Sequence, residues 1–254
     1  MKASGASGFT FAELLASIPC VAILIVLLLP AVRSAKEKAG QAKCVSKMSQ
    51  IAKCMLMYVI EHDDCFPTAG KCGRNLEGDW TWGGNRIPIP QTDPAKCERV
   101  HIEEGALWPY VTGMARAGPY GTGKGMPERW DASHKTNPSL CPTAGPVARK
   151  RALSYSMNRH LEVSLNGGAI VGMSLREVYR VKPTSTILLV DESELTLNDG
   201  YFDPAGPENT LPELHLKHSG GGTIAFCDAH VAWIENRKFL KIMDPKSDWF
   251  LPSR

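Results

Sequence analysis

Two stretches of the later chain carry side chains suited to metal ions. His215, His218, Asp228 and His230 bring three imidazoles and a carboxylate into one short segment. Neutral imidazole with carboxylate suits zinc or another transition metal. The plainer reading is that these histidines make ordinary hydrogen bonds on a hairpin while Asp228 serves its turn, and it is the commoner use of such residues. Upstream, Asp191, Glu192, Asn198, Asp199 and Asp203 form an oxygen-rich stretch in which Gly200 allows a sharp turn. Hard oxygen ligands suit calcium, and Asp191, Asp199 and Asp203 are the candidate ligands. The EF-hand spacing is absent, and a solvated loop accounts for the same residues.

Other chemistries find less support. Gly118–Gly125 nearly spells a phosphate-binding loop, but Gly125 stands where a magnesium-holding Ser or Thr is required, and Pro119 lies inside. It reads as a loop rather than a nucleotide site. Glu103 and Glu104 are neighbours in sequence and read as a solvated pair rather than an acid/base dyad. Neither a Gly-x-Ser-x-Gly elbow nor a His-Glu-x-x-His helix occurs, so no catalytic role is expected. Trp80, Trp82, Trp108 and Trp130 are expected to anchor loops against a core, since an aromatic ring buries much area. Their alternative use is a flat platform for a sugar. The formal net charge of +3 does not by itself call for a nucleic-acid partner.

The eight cysteines include no Cys-x-x-Cys pair, which weakens zinc-ribbon and thioredoxin readings. Cys20 falls inside an apolar run and reads there as a small hydrophobe. An odd number then remains, with one or two disulfides expected in an oxidising compartment. Pairing does not follow from sequence. The Gly/Pro-rich surroundings of Cys72 and Cys97 suggest that pair.

These side chains need elements to position them. Ser34 to His62 reads as a helix, with Val45, Met48, Ala52, Met55 and Val59 recurring at spacings of three and four to make one apolar stripe. Asp63, Asp64, Cys65, Phe66 and Pro67 mark its stop. Thr186–Asp191 is a short run of strand formers that reads as a buried strand. His218 to Ile234 reads as a hairpin turning at Asp228-Ala229, where alanine is a poor substitute for the glycine that positive φ favours.

The strongest signal is at the start. Leu14 to Val32 carries no charge, and as a helix it crosses a hydrocarbon core about 30 Å thick. A secretory signal has a shorter apolar stretch followed by a small-residue cleavage site. Here the chain instead continues into helix-forming sequence, so a spanning anchor is expected. Glu13 sits at the edge of the run, where a carboxylate near lipid is costly unless paired. A new α-amino group on a neighbouring copy, made by cleavage before Phe9, would pair it.

Gly8-Phe9-Thr10-Phe11-Ala12-Glu13-Leu14-Leu15 resembles the cleavage and methylation motif of type IV prepilins and type II secretion pseudopilins. The resemblance implies a cut after Gly8 by a prepilin peptidase, a methylated amine on Phe9, and Glu13 aligning subunits during assembly. Phe11-Ala12 replaces the usual aliphatic pair, and Pro19 is expected to kink the helix. CVSKMSQIAKCMLMYVIEHDDCFP, from Cys44 to Pro67, is similar to a segment of large pseudopilin-like proteins. So are Gly105–Val111, Leu140-Cys141-Pro142 and Ser154–Asn158. His218 and Asp228 fit the H-x9-D-G signature of many prepilin-like proteins, with Ala229 in place of its glycine. Several major pseudopilins hold calcium in a late acidic loop, which adds to the reading of Asp191, Asp199 and Asp203.

The resemblance implies an α+β fold, with a long N-terminal helix packed on a small antiparallel-sheet head with long loops. The expected divisions are a leader at 1–8, a helix at 9–62 and a head at 63–254. The implied role is a structural subunit of a membrane filament in a type II secretion or pilus-like system. Its implied partners are the peptidase, other subunits, an inner-membrane assembly platform and lipid. A membrane-anchored module that binds polysaccharide or another surface ligand is the alternative. The resemblance places the head on the periplasmic or extracellular side of a bacterial inner membrane. Arg33, Lys36, Lys38, Lys43 and Lys47 follow the span and only Lys2 precedes it, which by the positive-inside rule points the other way.

Overall fold

The structure is a computed structural model that describes residues 11–71, 76–81, 102–113, 116, 137–194, 197, 200–203 and 218–242. The chain divides into two compact units, residues 1–40 and 41–254. Helix α1 (Phe11–Glu61) contributes to both.

In the first unit, Leu15, Ile18, Val21, Ile23 to Leu29 and Val32 each leave between 48% and 66% of their surface exposed. This part of α1 is apolar on all sides and is long and apolar enough to cross a membrane. The backbone stays helical through Pro19 and Pro30. Proline has no N–H, so the carbonyls of Leu15 and Val26 lose their bond from four residues on. Glu13 lies in the first turn and is exposed, at the helix end where the backbone dipole favours negative charge.

From Gln41 onward α1 is amphipathic. Cys44, Met48, Ile51, Ala52, Met55 and Val59 are fully buried, with Tyr58 nearly so. The expected stripe is therefore present at Met48, Ala52, Met55 and Val59; Cys44, Ile51 and Tyr58 belong to it as well, while Val45 is only half-buried. Past Glu61 the helix stops at Asp63 (φ 52°) and Asp64 (φ 58°), two left-handed residues. Phe66 then bonds through its N–H to Met173 O (2.9 Å). Its carbonyl lies 1.6 Å from where a Cβ on Gly172 would stand, so only glycine fits there.

The main sheet combines β1 (Tyr155–Asn158), β4 (Ile187–Asp191), β5 (Tyr201–Phe202), β6 (Gly221–Phe226) and β7 (Val231–Glu235) in the order β5-β1-β4-β6-β7. β4 is the expected buried strand, central and buried throughout. The expectation of a purely antiparallel sheet is corrected: β1 pairs antiparallel with β4 but parallel with β5, so the sheet is mixed. A separate hairpin joins β2 (Glu162–Ser164) to β3 (Ile170–Gly172).

Alternation sorts the side chains of the sheet onto two faces. Tyr155, Met157, Leu189 and Ala225 share one core cluster with the buried stripe of α1. Ile187, Val190, Ile224, Phe226 and Ile234 form a second cluster with Phe239 of the last described helix, Asn236–Ile242. The register shifts between Ile187 and Leu189.

The β6–β7 hairpin is as expected, but its loop is longer than two residues. Phe226 N–H bonds to His230 O (3.0 Å) and Ala229 N–H to Phe226 O (2.8 Å), so Cys227, Asp228 and Ala229 make the turn. Ala229 takes φ 65°. This is the three-residue form, whose last residue is left-handed. Glu103 and Glu104 also depart from expectation. Both are buried, at 2% and 6% exposure, in a 3-10 turn at Ile102–Glu104.

Candidate metal centre

Four buried side chains from distant parts of the sequence converge inside the second unit. Cys44 lies one helical turn before Met48, so the phase of the stripe turns its sulfur into the core. Cys141 is held by a turn fixed in several places. Asn137 donates to Ala152 O (2.8 Å) and accepts from Ser139 N–H (2.9 Å), and Cys141 N–H donates to Ser154 Oγ (3.0 Å). Asp191 ends β4 opposite Tyr155. His218 bridges to Gly221 where β6 begins, and its carbonyl accepts from Trp233 Nε1 (2.8 Å).

The donor atoms of Cys44, Cys141, Asp191 and His218 all lie within 4.8 Å of one another. Cys44 Sγ is 2.7 Å from Cys141 Sγ and 3.4 Å from Asp191 Oδ2. His218 Nε2 is 3.3 Å from Cys141 Sγ and 3.7 Å from Asp191 Oδ2. None of the four residues exposes more than 1% of its surface.

Further polar groups surround the four donors. Tyr155 Oη stands 3.3 Å from Cys44 Sγ. Thr143 Oγ1 is 3.2 Å from Cys141 Sγ and 3.4 Å from His218 Nε2. Lys47 Nζ donates to the carbonyls of Asn137 (2.7 Å) and Leu140 (2.9 Å). The hydrogen bond to Cys141, burial and the Asp191 carboxylate raise the Cys44 thiol far above its ordinary range. Burial, with Cys44, Cys141 and Asp191 adding to it, likewise raises the Tyr155 phenol. Burial pulls the Lys47 ammonium down, and Cys141 and Cys44 act the other way. Two sulfurs, an imidazole nitrogen and a carboxylate oxygen form a four-donor set of the kind that encloses a tetrahedral metal ion. The described cysteines are thiols.

The residues singled out in the sequence are sorted differently by the fold. His218 and Asp191 came from two separate candidate clusters and meet in one. Asp228 serves the turn: its Oδ1 accepts from His230 N–H (3.1 Å) and lies 2.5 Å from His230 Nδ1. His230 stacks on Phe226 with ring centroids 4.1 Å apart. His218 and His230 thus stand at opposite ends of β6, and His215 lies outside the described residues. Asp203 pairs with Arg159, and its other oxygen is 3.9 Å from His160 Nε2. Glu192 bonds to Ser156 Oγ. Asn198 and Asp199 lie outside the described residues, as do Gly8, Phe9, Cys72, Cys97 and residues 118–125.

Trp80 and Trp108 are buried at 1% and 6% exposure, and Trp80 Nε1 donates to both Ala69 O (3.0 Å) and Gly200 O (2.8 Å). Both pack into the core, as expected, Trp80 from a loop and Trp108 from the start of a short helix. Trp82 and Trp130 lie outside the described residues. Sequence reasoning missed Cys44 and Cys141 as members of the site. The usable signal was position: Cys44 opens one of the quoted landmark phrases, Cys141 lies within another, and His218 opens the signature hairpin.

Comparison with family models, with curated proteins and with solved structures returns no match for this chain.

Proposed function

We propose that this chain is a membrane-anchored structural subunit of the pilin and pseudopilin kind, processed by a prepilin peptidase between Gly8 and Phe9 and assembled into a filament through its N-terminal helix. One observation carries the reading. A single helix is apolar on every side in its first half, bears Glu13 in its first turn, and in its second half supplies the buried spine of a compact α+β unit. An ordinary anchor has no use for a carboxylate at that depth. A filament core does, because the amine that cleavage exposes on a neighbouring subunit neutralises it.

Within lipid, helix association draws on packing and paired polar groups rather than on the hydrophobic effect. A motor complex that extracts subunits from the membrane follows from that. The burial of Trp80 and Trp108 favours a structural role over a tryptophan-lined binding surface.

Mass spectrometry of the mature N-terminus tests the reading. Loss of Met1 to Gly8 with one added methyl on Phe9 is expected. In cells, Glu13→Ala is expected to leave the chain in the membrane while abolishing its incorporation into filaments. An intact Met1, a cut well inside Leu14–Val32, or normal assembly of Glu13→Ala would overturn it.

A further inference from the structure

We propose that Cys44, Cys141, Asp191 and His218 hold one zinc ion in a closed tetrahedral site that clasps α1 to the main sheet and to the 137–145 turn. The donors come from four separate places in the chain and converge within 4.8 Å of one another, each residue at most 1% exposed. A buried carboxylate beside two buried thiols is costly on its own account. A divalent cation turns that arrangement into a favourable one, because thiolate, imidazole and carboxylate are its ordinary ligands.

The donor set selects the metal. Two sulfurs favour a borderline-soft ion over calcium, which prefers six or more oxygens. Four protein donors fill the coordination shell and leave no open position, so the site is structural rather than catalytic. Binding releases the two thiol protons to solvent, leaving two thiolates, one carboxylate and a neutral imidazole around the dication. The resulting net charge of minus one is offset by the nearby Lys47 ammonium, three residues along α1 from Cys44 and held by the carbonyls of Asn137 (2.7 Å) and Leu140 (2.9 Å), the latter next to Cys141 in sequence. The Tyr155 hydroxyl, 3.3 Å from Cys44 Sγ, is placed to donate to that thiolate.

With Zn–S bonds of about 2.3 Å, a tetrahedron sets its sulfurs about 3.8 Å apart. Loading therefore opens the 2.7 Å pair by about 1 Å. The competing chemistry is a Cys44–Cys141 disulfide, which would close the pair instead and leave Asp191 and His218 without a shared cation.

The zinc site does not depend on filament assembly, so its test is separate. The full chain is solubilised in detergent, purified without chelator or metal-affinity tag, and analysed for bound metals. One zinc per chain is expected. Exchange for cobalt(II) should give the d–d bands of a tetrahedral site and a thiolate-to-cobalt charge-transfer band. Cys44→Ser, Cys141→Ser, Asp191→Asn and His218→Gln should each lower zinc retention by at least about tenfold, whereas His230→Ala should retain it. The metal content and cobalt spectrum of the unaltered chain decide the matter even if a variant fails to fold. A reduced chain that takes up neither zinc nor cobalt overturns the proposal. So does calcium in place of zinc, or a metal-free chain in which peptide mapping finds Cys44 joined to Cys141.

Discussion

The two halves of α1 share one backbone and solve opposite problems. Residues 15–32 are apolar around the whole circumference and exposed, with Leu27 at 66%. Residues 44–59 bury an apolar stripe along one face, on which Ile51 is wholly buried, while Met57 off that face stays 51% exposed. An all-round apolar surface has no inner face to choose, so it needs a non-aqueous surround such as lipid or other helices. A stripe needs a partner of fixed shape. One helix thus carries two kinds of surface, apolar all round over residues 15–32 and striped over residues 44–59.

The comparison breaks most readily at Ile51. Ile51→Ala is expected to cost the unit 41–254 about 2–5 kcal/mol, the range for emptying a packed site. Leu27→Ala should change the same unfolding transition by less than about 0.5 kcal/mol. Denaturant unfolding of the detergent-solubilised chain, followed by the fluorescence of the buried tryptophans, measures both. Equal effects would mean that the halves are not distinct.

A smaller effect extends the comparison to the sheet. Ala229 holds φ 65° in the hairpin turn, a conformation that costs a residue with a Cβ roughly 1–2 kcal/mol. Ala229→Gly should therefore raise the unfolding free energy by about 1 kcal/mol after the extra chain entropy of glycine. Membrane association should be untouched, because it belongs to the other half of α1.

The smallest effect lies at the end of the buried half. Tyr110, on the short helix Trp108–Thr112, donates to Glu61 Oε2 at 2.6 Å. Burial and that bond push its phenol up to about 12. A phenol raised on folding contributes stability that is complete below its unfolded value near 10 and is lost as pH rises toward 12. The unfolding free energy measured across that alkaline range should decline less steeply in Tyr110→Phe.

Much of the fold was legible because its signals are periodic. The α1 stripe follows 3.6-residue spacing, and the uninterrupted strand formers of Thr186–Asp191 mark β4. The stripe is legible at Met48, Ala52, Met55 and Val59, all fully buried, and only its first member differs, Cys44 in place of Val45, since a thiol does not announce itself as a core residue. The parallel pairing of β1 with β5 was not legible: β5 has only Tyr201 and Phe202, too few to show alternation. The hairpin turn was one residue longer than Asp228-Ala229 because loop length is set by register, and register is settled between strands.

The metal centre was legible only in fragments. His218 and Asp191 were each noticed for their chemistry, but each was grouped with its neighbours in sequence. Cys44 and Cys141 stand 97 residues apart, and no local spacing joins them. Only the packing of α1 against the sheet brings them together. Glu103 and Glu104 teach the same lesson from the other side, since two adjacent carboxylates reveal nothing about depth until the chain around them is folded.

The interlocking of Phe66 with Gly172 has a mechanical consequence. The chain leaves α1 and at once presses its backbone against β3, with no room for even a methyl group. A pull along the buried half of α1 therefore meets resistance at both of its ends, at Cys44 where it packs against Cys141 and at this contact. Force applied along the helix is spread across its length as shear instead of peeling one turn away at a time.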